Sequence, residues 1–260
     1  MVDVNIQVIN HLDTHDDVAQ KIAEVGQLYS DLVCAAYELA PGKVKFTPGA
    51  AKPDDGYLAM GLFLRPDAAD ALGYHDIDPR GLPYGKAFLS VIPNNILLRD
   101  PTGHGGSLAG VVMHELAEML GDRYANVWAF GKIVDKKKRR TFGAVAFELA
   151  DPVQDAAFVL KSKDGTEVDC SDFVLMNWFN PDTAATAKTS YTGAAQGPFH
   201  VAPGGYLIVA KPSGETQILG RRIGGAAQNR LEHAKDAPPA WRTEMQALPF
   251  ARGTRRALQH

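Results

Sequence analysis

One run, Met113-His114-Glu115-Leu116-Ala117-Glu118-Met119-Leu120-Gly121-Asp122, constrains this chain more than any other. At about 100° of rotation per residue, with His114 at zero, Glu118 falls at about 40°, Asp122 at about 80° and Glu115 at about 100°. Leu108, Val112, Met113, Leu116, Met119 and Leu120 occupy the arc from roughly 120° to 260°. The segment reads as a helix with an apolar stripe on one side and an imidazole with three carboxylates on the other, started by Ser107 as N-cap. His114 and Glu118, at i and i+4, stand one turn apart and can reach one cation; Asp122 continues the stripe, and Glu115 is offset so that it could polarise a metal-bound water. The competing reading is a solvated acidic face. Two features count against it: the stripe has no Lys at the i+4 positions that exposed helices use for pairing, and its like charges repel unless something positive sits among them.

The rest of the chain narrows the class. At 260 residues, with 45% hydrophobic and 22% charged residues, it is an ordinary globular protein of one large or two small domains. A net charge of −3 gives no push toward nucleic acid or an anionic membrane. No apolar run approaches the roughly 20 residues that cross a bilayer. The amino terminus lacks the basic, apolar and small-residue pattern of a signal peptide, so the expected location is a reducing cytoplasm. Cys34 and Cys170 are far apart and fit neither a disulfide scaffold nor a thiolate zinc site.

Along the chain, Val4 to Ile9 alternates like a strand, and Thr14 with Asp17 suggests a capping box for a helix running to about Leu39. Lys43–Thr47 and Tyr57–Leu64 read as strands. A loop-rich stretch containing Pro66, Pro79 and Pro83 follows, then a strand at Ala87–Ile92. After Asp122 the pattern turns to strands: Val127–Val134 and Phe142–Leu149 around the basic run Lys136–Arg140, which reads as a solvated hairpin tip. Ala157–Lys161 and Thr166–Cys170 flank Asp164-Gly165, and Gly205–Ala210 pairs with Glu215–Leu219. The expected organisation is a single domain over 1–220, made of a helix-and-sheet part (1–125) and a strand-rich part (126–220). A polar, basic-ended tail over 221–260 follows, extended or dependent on a partner for its order.

Further metal ligands must come from outside the helix. Glu148 and Asp151, at the end of a predicted strand before Pro152, are candidates; an exposed Asp-Pro turn is the alternative. Asp169 and Asp172 read as turn residues. Gly105-Gly106-Ser107-Leu108-Ala109 is an incomplete G-x-S-x-G elbow, so a serine hydrolase is a third and weak reading, with Ser107 better explained as a cap. His75 and His104 fall near the proposed site, but an isolated histidine is more often a surface or satisfied residue.

The helix resembles that of the zincin metallopeptidases, whose H-E-x-x-H places two ligands one turn apart with the Glu as general base; here Glu118 stands where the second His belongs. A wider set of segments runs in order with it: Gly73-Tyr74-His75-Asp76, Gly81-Leu82-Pro83-Tyr84-Gly85, the HELAEMLGD helix, Asn126-Val127-Trp128, Glu148-Leu149-Ala150-Asp151-Pro152-Val153, Ser171 to Leu175 before Trp178-Phe179, and Gly204-Gly205-Tyr206. Together they resemble a group of zincin-like proteins of tailed phages and prophages, over about residues 55–210. That resemblance implies a mixed α+β fold in which a long amino-terminal helix and the metal-site helix rest on a small twisted sheet, followed by a strand-rich half. It implies a virion-associated structural protein binding a divalent cation, zinc first, with calcium or manganese admitted by the carboxylates. Its partners would be other virion proteins or a second copy through the tail, with no membrane and no nucleic acid. The alternative is an active metallopeptidase of HExxE type with Glu115 as general base.

Overall fold

The computed structural model describes residues 4–68, 71–134, 140–184, 186–210, 216–220 and 246–247, with backbone alone at 131–134, 140–142, 216–220 and 246–247. Apolar Ile6–Asn10 (β1) leads into the helix Asp16–Ala36 (α1), which returns the chain to Val44–Phe46 (β2), parallel to β1. Leu58–Phe63 (β3) lies parallel on the other side of β1, and Pro83–Phe88 (β5) parallel to β3. Gly73–Ile77 (β4) closes this edge antiparallel to β5, so the five strands run in the order β2-β1-β3-β5-β4.

Three expectations change here. The stretch around Pro79 is no loop but the β4–β5 hairpin. Its turn is held by Asp78, whose Oδ1 accepts from the backbone N–H groups of Arg80 (2.8 Å) and Leu82 (3.0 Å). The strand expected at Ala87–Ile92 lies earlier, at β5, and passes into a 3-10 turn at Leu89–Val91. Thr14 is likewise not the cap of α1. His15, at φ 75°, is the N-cap residue without a side-chain bond, while Asn10 Nδ2 reaches Asp16 Oδ1 at 2.7 Å and fixes the entry.

The second helix, Leu108–Gly121 (α2), is the expected one. Ser107 caps it, its Oγ accepting the Gly110 N–H at 3.0 Å. The preceding turn is tied by Asp100, which accepts from Thr102 N (2.9 Å) and Gly106 N (3.1 Å). The helix is enclosed by α1, by β4 and β5, and by Glu167–Ser171 (β9), so every residue from Leu108 to Leu120 is buried, the polar stripe included. An all-round buried helix needs no exposed face.

β4 and β5 approach α2 closely because glycines face it. A Cβ at Gly73 would stand 2.5 Å from Val111 Cγ1, and one at Gly85 would stand 2.9 Å from Met119 Sδ.

The second half holds Val127–Val134 (β6) and Arg140–Ala146 (β7), antiparallel; Ala157–Lys161 (β8) pairs with β9. Tyr206–Ala210 (β10) and Thr216–Gly220 (β11) extend the β6–β7 sheet, and Gln246–Ala247 (β12) joins its far edge parallel to β6. Residues 136–139 of the basic run lie outside the described residues, as does the tail apart from β12. Two buried tyrosines, Tyr29 of α1 and Tyr37 at its C-cap, tie the halves together: Tyr29 Oη donates to the Ser171 carbonyl at 2.9 Å, and Tyr37 Oη donates to that of Val174. Burial holds both phenols well above their ordinary pKa, so they remain donors.

Asp169 and Asp172, expected as turn residues, do long-range work. Asp169 accepts from Arg99 Nη1 (2.9 Å) and Asp100 N (2.6 Å), and Asp172 from Thr192 N (2.8 Å) and Thr192 Oγ1 (2.7 Å). Both are fully buried. The described fold is thus mixed α+β, with two α-helices and three sheets among the described residues, and none of those helices is long and apolar enough to cross a membrane.

Candidate metal centre

Six side chains converge from four places in the chain: His75 from β4, His114, Glu115 and Glu118 from α2, Glu148 from the turn after β7, and Asp151 from the 3-10 turn Asp151–Val153. The i, i+4 spacing works as expected: His114 Nε2 lies 3.1 Å from Glu118 Oε1. Asp151 Oδ1 approaches the same nitrogen at 3.2 Å. Residue exposure is 9% at His114, 2% at Glu115, 0% at Glu118 and 1% at Asp151, so the solvated-face reading of the stripe fails.

Asp151 reaches this depth because β10 packs on its turn. Ala202 N donates to the Pro152 carbonyl at 2.9 Å, and Gly205 lies so close that a Cβ there would stand 2.2 Å from that oxygen. An exposed Asp-Pro turn, the alternative for this segment, is therefore excluded.

His75, an isolated histidine in the sequence, is a full member of the cluster. Its Nδ1 lies 3.2 Å from Glu118 Oε2 and 3.4 Å from Glu115 Oε2, and its Nε2 lies 3.7 Å from Glu148 Oε2. The alternation of β4 offers a signal in hindsight: Gly73, His75 and Ile77 face one way, Tyr74 and Asp76 the other, and His75 is the one buried residue of the strand. His104, the other histidine near the site in sequence, is exposed with Nδ1 3.4 Å from the Asp155 carbonyl and takes no part.

Asp122 stands apart from its expected role as a ligand. Its two oxygens accept from Asn126 N (3.0 Å) and Val127 N (2.7 Å), so the carboxylate fastens the chain's exit from α2. Burial pushes its pKa up to about 6 against those two bonds. Gly121, the last helical residue, presses on Leu149, with a Cβ there 2.7 Å from Leu149 Cδ1. Ser107 Oγ is engaged in its cap at full burial.

The electrostatics are those of imidazoles inside a carboxylate cage. Burial alone would depress His114, but Glu118, Asp151 and Glu115 overcome it and carry the pKa to about 10. His75 is likewise opposed by burial and raised well above its ordinary value by Glu148, Glu115 and Glu118.

Among the described residues, two overlapping sets each bring their donor atoms within 4.8 Å of one another: His114, Glu115 and Glu118, and His75, Glu118 and Glu148. Neighbouring ligand atoms stand about 3.4 Å apart around a tetrahedral ion with bonds of about 2.1 Å, and about 3.0 Å apart around an octahedral one. The contacts of 3.1 and 3.2 Å at His114 are in that range. No family model, curated protein or solved structure matches the chain.

Proposed function

We propose that this chain is a zincin-like protein of the tailed-phage type, a virion-associated structural component that holds a divalent cation through His114, Glu118 and Asp151. The observation that carries the cation is the buried His114 Nε2, with a carboxylate oxygen of Glu118 at 3.1 Å and one of Asp151 at 3.2 Å. One nitrogen and two or more oxygens suit zinc, and the weight of carboxylate admits manganese or calcium. The zincin-like assignment rests on the motif order together with two helices packed on a small, mostly parallel sheet. The structural role is favoured by the closure of the centre: Glu115, which a hydrolase would keep for water, is 2% exposed and lies 3.4 Å from His75 Nδ1. The polar tail over 221–260 would supply the contact to other virion proteins or to a second copy.

A second reading, a metallopeptidase with Glu115 as general base, is favoured by one observation. The side chains of His114 and Glu148 keep 11% and 13% exposure, an edge through which water could enter.

Elemental analysis of the purified full-length chain tests the first reading: at least one divalent ion per chain is expected, and His114→Ala should lose the ion that His114 holds. Protein without metal, equally stable with and without chelator, refutes it. Under the second reading Glu115→Gln keeps the ion and loses about 10²–10⁴ of any casein turnover; equal turnover removes Glu115 from the chemistry.

A further inference from the structure

We infer that the centre is dinuclear: a second divalent cation binds between His75, Glu118 and Glu148, with Glu118 as the bridging carboxylate. The inference rests on the reading that His114 and Glu118 hold a cation, and goes beyond it.

Three observations carry it. The first is the way Glu118 is shared. Its Oε1 faces His114 Nε2 at 3.1 Å and its Oε2 faces His75 Nδ1 at 3.2 Å, so one fully buried carboxylate presents an oxygen to each of two imidazoles. At a single-ion site that outer oxygen would accept a hydrogen bond from an outer-shell donor, and the His75 ring facing it makes none. The second is the state of His75. Its side chain is 2% exposed, yet neither ring nitrogen makes a hydrogen bond, although carboxylate oxygens of Glu118 and Glu115 lie 3.2 and 3.4 Å from Nδ1 and one of Glu148 lies 3.7 Å from Nε2. Buried imidazole nitrogens ordinarily have a hydrogen-bond partner or a metal. Carboxylate oxygens gathered around an imidazole without hydrogen-bonding to it are the arrangement of ligands around a common ion.

The third observation is where the two donor sets come from. His75 belongs to the edge strand β4 and Glu148 to the turn after β7, whereas Asp151 approaches His114 from the 3-10 turn beyond. The two sets therefore meet only at α2, on either side of Glu118. One imidazole and two carboxylates at each position form a matched pair of oxygen-rich sites, the kind in which two divalent ions share a carboxylate.

The experiment is a titration of the metal-free, full-length protein with Mn²⁺ alone, followed by native mass spectrometry and electron paramagnetic resonance. Two Mn²⁺ per chain are expected, and the second equivalent should broaden and diminish the six-line signal of the first, because adjacent spins couple. Glu148→Gln, a near-isosteric change at a partly exposed position, should bind one Mn²⁺ and restore the uncoupled six-line signal; His75→Gln should do the same. A wild-type count of one that His75→Gln leaves at one, and His114→Ala takes to zero, overturns the dinuclear centre while leaving the single-ion reading in place. A wild-type count of zero overturns both. Two ions whose spectra add without coupling also overturn it, since they would not share Glu118. The spectral test uses the unaltered protein, so misfolding of a variant leaves it decisive.

Discussion

Replacing Gly73 with alanine should damage the packing of β4 on α2 in a way that can be sized in advance. The new Cβ would stand 2.5 Å from Val111 Cγ1 and 2.8 Å from the Lys86 carbonyl oxygen. Carbon atoms settle at about 3.5–4.0 Å, so a gap of roughly 1 Å must open. Neither neighbour yields easily. Val111 is a β-branched residue within a buried helix, and Lys86 lies in β5, hydrogen-bonded to β4 itself. Overpacking of this kind costs about 1–3 kcal/mol, which lowers the melting midpoint of a domain this size by about 2–12 °C. Because His75 follows two residues along on the same face, the displacement also carries its ring away from Glu115 and Glu118, now at 3.4 and 3.2 Å. Thermal unfolding by circular dichroism measures the first effect and Mn²⁺ titration the second. Adding Val111→Ala removes one of the clashing atoms, so the double variant should be more stable than the sum of the two single losses by at least about 0.5 kcal/mol. A Gly73→Ala protein that melts within about 1 °C of wild type, or strictly additive losses, refutes the close approach.

Two further outcomes follow from the buried charges. In chelator, His114 has its pKa raised to about 10, so its stabilisation is complete below the unfolded value of about 6.5 and disappears as pH rises toward 10; Asp122, raised to about 6, removes stability in the same direction at lower pH. Melting scans of the metal-free protein should therefore fall between pH 6.5 and 10, whereas saturating Mn²⁺ should flatten or reverse the trend because the ion takes the deprotonated ligands; a metal-free midpoint that rises over this range sinks the argument. Asp169→Ala leaves the buried Asp100 N–H without its acceptor and should cost about 2–3 kcal/mol, with amide exchange accelerating over residues 100–107 ahead of α2. Unchanged exchange there would show that Asp169 does not anchor the turn.

Helix α2 was legible because its signals are local. Ser107 caps it, the apolar residues recur at helical spacing, and the His114–Glu118 pair is a property of one turn. β4 was not. Its residues Gly73, His75 and Asp76 carry little strand propensity, and what makes the segment a strand is pairing with β5 across the Asp78 turn. His75 was hidden for the same reason, since a histidine in a presumed loop gives no hint of three carboxylates from elsewhere. The position of Asp151 before Pro152 marks it in the sequence, but its burial depends on Ala202 to Gly205, some fifty residues further on. Asp122 shows the converse: the helical wheel places it correctly on the polar stripe, yet the chain turns at that residue and the backbone N–H groups of Asn126 and Val127 claim it. Angular position on a wheel says nothing of which competitor for a carboxylate arrives first.

The order in which the six converging side chains occur along the chain has a bearing on synthesis. His75 emerges first, then His114 to Glu118, and Glu148 with Asp151 only after both strands of the β6–β7 hairpin. A nascent chain halted inside that hairpin would own His114 and Glu118 but neither Glu148 nor Asp151, and Tyr29 and Tyr37 would still lack the carbonyls of Ser171 and Val174 to which they donate. An ion gripped by all these donors would thus be acquired late, and its presence in a chain would certify that translation had passed the hairpin and that the two halves had closed on each other.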